Sequence, residues 1–141
     1  MTHIEIGAMQ AGRELDALVA EKVMGWGGVR EGYSEGSAEL RFIGKPPNGM
    51  DSKYPVPMYS TDIAAAWEVL EKIKAVNLEK FTGLDFPDEC FVVAWDRSSK
   101  DWEAGFHSID GYDAGWVSDC RSNAATAPLA ICRAALKAVT T

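Results

Sequence analysis

Apolar residues recur at helical spacing in three stretches. From Ala11 to Trp26, the positions Leu15, Leu18, Val19, Val23 and Trp26 fall three and four apart, while Arg13, Glu14, Glu21 and Lys22 lie mostly off that stripe. Gly25, Gly27 and Gly28 then end the helix. The second pattern has the clearest start. Ser60, Thr61 and Asp62 offer capping oxygens just before Ile63, Ala66, Trp67, Leu70 and Ile73. The third opens after Ser122 and Asn123 and runs through Pro128 to about Val139, with Thr126 as a cap candidate. Leu129, Cys132, Leu136 and Val139 form its stripe, and Arg133 and Lys137 fall outside it.

Strand signals lie between the second and third helices. Cys90 to Trp95 is almost continuously apolar, as expected of a strand covered on both faces. Trp102 to Ser108 alternates, with Trp102, Ala104 and Phe106 on one side and Glu103, Gly105 and His107 on the other. The polar stretch Asp96 to Asp101 makes these two an antiparallel hairpin. Trp116 to Cys120 and Ala38 to Ile43 are further strand candidates. Gly27 to Met58 is the least regular part of the chain, and Gly44 to Tyr54 reads as an exposed loop or flap. The expected fold class is α/β in the α+β sense: a small, mostly antiparallel sheet packed with three helices as an α/β/α sandwich.

The 141 residues suit one domain, and 47% apolar with 25% charged side chains is ordinary for a globular chain. The charge changes the picture more. With 21 acidic and 14 basic side chains the net charge is −7, the wrong sign for a protein that draws its affinity from phosphates, so no nucleic acid and no membrane is expected as partner. Cys90, Cys120 and Cys132 are an odd number without paired spacing, which fits a reducing cytoplasm better than a disulfide framework. Met1 to Gly12 has no signal-peptide character, and no run reaches the roughly twenty apolar residues of a membrane span. The expected location is the cytoplasm of a host bacterial cell.

Three stretches, AGRELDALVAEKVMGW (11–26), YSTDIAAAWEVLEK (59–72) and TAPLAICRAALKA (126–138), come in the order in which they occur in a known family. The chain resembles the phage ABA sandwich domain family, small proteins of phages and prophages. The resemblance implies a three-layer α/β/α arrangement over residues 1–141, with 27–58 as a variable insertion. It implies no reaction and no catalytic residues.

The chemistry-bearing residues mostly have structural explanations. His3, in an expected frayed terminus, and His107 are the only histidines, and no zinc, calcium or Walker pattern is present, so no metal and no cofactor is expected. Asp85, Asp88 and Glu89 near Pro87 read as a solvated acidic turn. Cys132 paired with His107 is a conceivable nucleophile, but its place on the apolar stripe argues for packing. One arrangement points to a ligand. The helix starts at Ser60–Thr61–Asp62 and at Ser122 to Thr126 each present unpaired N–H groups, and together with Arg121 or Arg133 they would make an anion-binding corner. Trp26, Tyr59, Trp95, Trp102 or Trp116 would supply a stacking ring. The candidate ligand residues are Ser60, Thr61, Arg121, Thr126 and Arg133. The expected function is an accessory phage protein that acts by binding, for instance by sequestering a nucleotide signal. The alternatives are a protein-interaction module, homo-oligomeric or directed at a host protein, and a small hydrolase using Cys132 or a carboxylate.

Overall fold

A computed structural model describes residues 1–34, 36–49, 51–74, 89–108, 115–116 and 120–140. In chain order its elements are α1 (His3–Ala8), α2 (Arg13–Lys22), β1 (Gly27–Gly32), β2 (Arg41–Lys45), β3 (Tyr54–Pro55), α3 (Ile63–Ile73), β4 (Glu89–Asp96), β5 (Asp101–Ser108), β6 (Gly115–Trp116), β7 (Ser122–Ala124) and α4 (Ala127–Val139). The strands form two antiparallel sheets, one in the order β1-β2-β3 and one in which β4, β5 and β6 run in order and β7 also pairs with β5. With the four helices of the described residues this is an α+β sandwich.

The last helix is the centre of the molecule. From Pro128 to Leu136 every residue of α4 is buried, and so is Ala138. A helix buried all round has no solvent face to spend on charge, and its alanines 130, 134, 135 and 138 let neighbours approach closely. It packs against α1, α2, α3, β5 and β7. Thr126 caps it by accepting from the Leu129 N–H (3.4 Å), with Pro128 in the first turn.

The hairpin is in the expected register, from Glu89 opposite Ser108 to Asp96 opposite Asp101. Ala104 and Phe106 enter the core, with Phe91, Val93 and Trp102 packed at its margin. The Asp96 carboxylate accepts from the Ser98 hydroxyl (2.6 Å) and the Ser98 N–H (2.8 Å), which fixes the turn and holds that carboxyl well below its usual range. Across β5, Gly105 is a point of close approach: a Cβ there would stand 2.9 Å from the Arg121 Cα and 3.2 Å from the Cys120 carbonyl oxygen.

Several expectations need correction. The region 27–58, expected to be the least regular part of the chain, carries all three strands of the β1-β2-β3 sheet. The N-terminus is not frayed. Thr2 and Glu5 form a reciprocal capping box for α1, Ile6 is fully buried, and His3 Nε2 donates to the Thr140 carbonyl oxygen (2.7 Å). Ser122 to Ala124 pairs with β5 as a strand before α4 begins. On α3, Ile63 and Trp67 are each 55% exposed, and the buried stripe is Ala65, Ala66, Val69, Leu70 and Ile73. The alanine pair lets that side of α3 pack closely, which turns the larger residues outward. Arg133 and Lys137 lie on sides of α4 that the fold covers. Asp85, Asp88 and residues 117–119 of the expected Trp116–Cys120 strand lie outside the described residues.

Candidate functional site

Two helix starts, proposed above as an anion corner, are occupied by the protein's own groups. Asp62 caps α3 by accepting from the Ala64 N–H (3.0 Å), and the Thr61 and Asp62 N–H groups donate to the Met58 carbonyl oxygen (3.3 and 2.9 Å). Thr61 itself is exposed. Ser60 is fully buried, its hydroxyl accepting from the Gly12 N–H (2.9 Å). Gly12 sits at φ 153°, a backbone region that favours glycine, and this lets the chain turn into α2 against Ser60. Thr126 serves α4 as described. Arg121 pairs with the buried carboxylate of Glu103, which also accepts from Asn123 Nδ2 (3.2 Å). Arg133, only 8% exposed, donates from Nε (2.9 Å) and Nη2 to the Met9 carbonyl oxygen and from Nη1 to that of Asn123 (3.0 Å). It ties the α1–α2 connection and β7 to α4. Burial lowers its pKa, and desolvation, followed by the Arg133 charge, lowers that of Lys137, whose ammonium donates to the Arg121 carbonyl oxygen (2.8 Å). Tyr59 is also buried, which pushes its phenol up to about 12 and removes its ring from any stacking surface.

The open chemistry lies instead where α2 meets the β1-β2-β3 sheet. A cleft of about 350 Å³ is lined by Arg13, Asp16, Glu39, Leu40, Arg41, Phe42, Pro55, Val56 and Met58. That volume is near the lower end of small-molecule sites. Arg13 and Asp16 are three residues apart on α2 and so share a face. Arg13 Nη1 donates across to the Leu40 carbonyl oxygen (3.1 Å). Arg41 Nη2 meets Glu39 Oε2 at 2.7 Å, in a pair whose partners are 36% and 76% exposed. Phe42, Pro55 and Val56 supply a half-buried apolar lining, and Met58 stands 63% exposed.

Asp16 is the unusual member. It is 5% exposed, and its Oδ1 accepts from the Ser60 N–H (2.7 Å). Ser60 is its hydrogen-bond partner through both backbone and side chain, and no cation among the described residues pairs with it. Desolvation raises its pKa above the ordinary aspartate value, and the Ser60 hydrogen bond only partly opposes this. Ser60, read from the sequence as a cap, therefore holds a cleft residue in place from behind.

The sequence reading missed Arg13, Asp16 and Arg41. Its one available signal was Asp16, a carboxylate directly beside Leu15 on an otherwise apolar helix face. Elsewhere, Cys132 is fully buried and desolvation pushes its thiol far up, the reverse of what a nucleophile needs. Among the described residues, no group of three or more His, Cys, Asp or Glu could hold a metal ion, and no helix is long and apolar enough to cross a membrane.

The chain is an α+β sandwich built around the buried helix α4 and the β4–β5 hairpin. A family model, the phage ABA sandwich domain, matches residues 17–136, and the chain belongs to that family. The match includes the β1-β2-β3 sheet and much of the cleft. Among solved structures, a phage protein from Bacillus cereus ATCC 14579 is similar over 94% of this chain and 89% of its own, with a TM-score of 0.53 and 22% sequence identity. That likeness is one of fold. No curated protein matches the chain.

Proposed function

We propose that this accessory phage protein works by binding and not by catalysis: it holds a small anionic molecule with a flat or apolar part in the α2–β2 cleft. Nucleotides are the class that fits best, and holding one would keep it from its other partners. The observation that carries this reading is the pairing of two guanidinium groups, Arg13 and Arg41, with the apolar surface of Phe42, Pro55 and Val56 in one concave site. The Arg41–Glu39 pair is exposed and so worth little, about 0–1 kcal/mol, which leaves Arg41 free to exchange its partner for a phosphate.

Thermal unfolding against a nucleotide panel tests it. A ligand at a hundred times its Kd adds about 2.7 kcal/mol, roughly 5–15 °C at this chain length. Arg41→Gln should abolish most of that rise without altering the unliganded Tm. A flat response from mono-, di- and cyclic dinucleotides would overturn the proposal.

A second reading, as a protein-interaction module, draws on Ile63 and Trp67, four residues apart on α3 and both largely exposed. Concentration-dependent sedimentation that Trp67→Ser removes would favour it.

A further inference from the structure

Resting on that reading of the cleft, we propose that the site recognises its ligand at two ends: Asp16 accepts hydrogen bonds from an N–H-bearing edge, and Arg13 and Arg41 take the anionic end.

The argument starts from what α2 leaves undone. A carboxylate removed from water is expensive unless hydrogen bonds or an opposite charge compensate it. Asp16 takes its hydrogen bonds from Ser60, backbone and side chain, and no opposite charge among the described residues pairs with it. A guanidinium stands one turn away on the same helix face. Yet Arg13 reaches over to the Leu40 carbonyl oxygen and makes no ion pair with Asp16. Both groups line the same cleft. The cleft lining sets a buried acceptor on α2 together with two more exposed guanidinium groups, Arg13 and Arg41, and the apolar surface of Phe42, Pro55 and Val56.

That layout selects by chemistry. An ionised carboxylate only accepts, and it offers about four lone-pair positions, more than Ser60 alone can fill. The group that satisfies it best presents two adjacent N–H donors, as amidines and the amide-plus-amine edge of guanine do. Hypoxanthine presents one such donor. Adenine sets a donor beside an acceptor, which would face the carboxylate oxygen lone pair to lone pair. For nucleotides the expected order is therefore guanine over hypoxanthine over adenine, with the phosphate toward Arg13 and Arg41.

The experiment is calorimetric titration of the full chain with GMP, IMP, AMP and inorganic phosphate, using the wild type, Asp16→Asn and Arg41→Gln. The expected result is GMP tighter than IMP and AMP by about tenfold or more, as when a buried acceptor is left without its donor. Asp16→Asn keeps an acceptor for the Ser60 N–H and should bring GMP and IMP to within about threefold of each other. Arg41→Gln should weaken all three nucleotides alike. Equal wild-type affinity for the three would overturn the donor-edge inference while leaving the anion-binding reading standing. No binding of any nucleotide or of phosphate would overturn both. The comparison of the three bases in the wild type needs no variant, so it decides the point even if Asp16→Asn folds poorly.

Discussion

Replacing Arg133 with methionine separates a structural arginine from a ligand-binding one. The guanidinium spans two backbone carbonyls, Met9 on one side of α4 and Asn123 on the other, with three donors engaged. Hydrogen bonds from a charged donor contribute about 1.5–3 kcal/mol each, but two of the three share one oxygen and will not add. Methionine fills most of the volume and satisfies neither carbonyl, each of which then carries a penalty of about 1–3 kcal/mol. Removing a desolvated charge offsets part of this. The net expectation is a loss of about 2–4 kcal/mol, or roughly 6–15 °C in Tm for a chain of this length. The assay is urea unfolding followed by tryptophan fluorescence, with m-values compared so that a change in the denatured state is not mistaken for a change in stability. Arg133→Lys should recover only part of the loss, because an ammonium cannot bridge both carbonyls. If Arg133→Met unfolds within 1 kcal/mol of wild type, or is more stable, the clamp is wrong. A stabilised variant that also loses its nucleotide response would mark Arg133 as a ligand group after all.

Three further outcomes follow from titratable groups. Asp16 has a raised pKa in the fold, so the folded state holds its proton more tightly than the unfolded state does; its contribution to stability is greatest below the ordinary aspartate value and declines as pH rises through the folded pKa. Arg13, Glu39 and Arg41 around the cleft, and Tyr59 and Cys132 on the core side, are the other ionisable groups near it. Subtracting the Asp16→Asn stability curve from that of wild type over pH 3.5–7 should isolate a downward slope, and a flat difference would show that Asp16 is better solvated than its burial implies. Asp16→Ala, which strands the Ser60 N–H, should be less stable than Asp16→Asn at pH 7 by about 1–3 kcal/mol. Cys132 should resist a disulfide reagent in native buffer and react fully in urea, and rapid native labelling at that position would contradict its place in the core.

Much of the fold was legible because local period carried it. Asp62 and Thr126 announced α3 and α4, and the polar run from Asp96 to Asp101 announced the hairpin. The failures have a common cause. Glycine-rich β1 has weak strand propensity and is held in place by pairing with β2, from Gly32 opposite Arg41 to Gly27 opposite Lys45. Ser122–Ala124 is too short and polar to read as a strand until β5 is beside it. Ile63 and Trp67 fit the helical period as well as the true stripe does, and only packing separates the two. The cleft was least legible. Arg13, Arg41 and Pro55 come from separate segments with no shared motif, and the reading of 27–58 as a variable insertion hid two of the three. Arg133 and Arg121 looked like anion ligands because charge is visible in a sequence, while the carbonyls and the carboxylate that use it are not.

The position of α4 bears on how the chain is made. The helix that α1, α2, α3, β5 and β7 all lean on is the last of these elements to leave the ribosome. Until it emerges, the earlier segments have nothing to close around, and contacts such as His3 to Thr140 join opposite ends of the chain. Completion of the core therefore waits until α4 has emerged, and the segments made before it carry exposed apolar surface until then. A ribosome stalled before Thr126 would present a client for chaperones, while one stalled just after α4 clears the exit tunnel would display a folded domain.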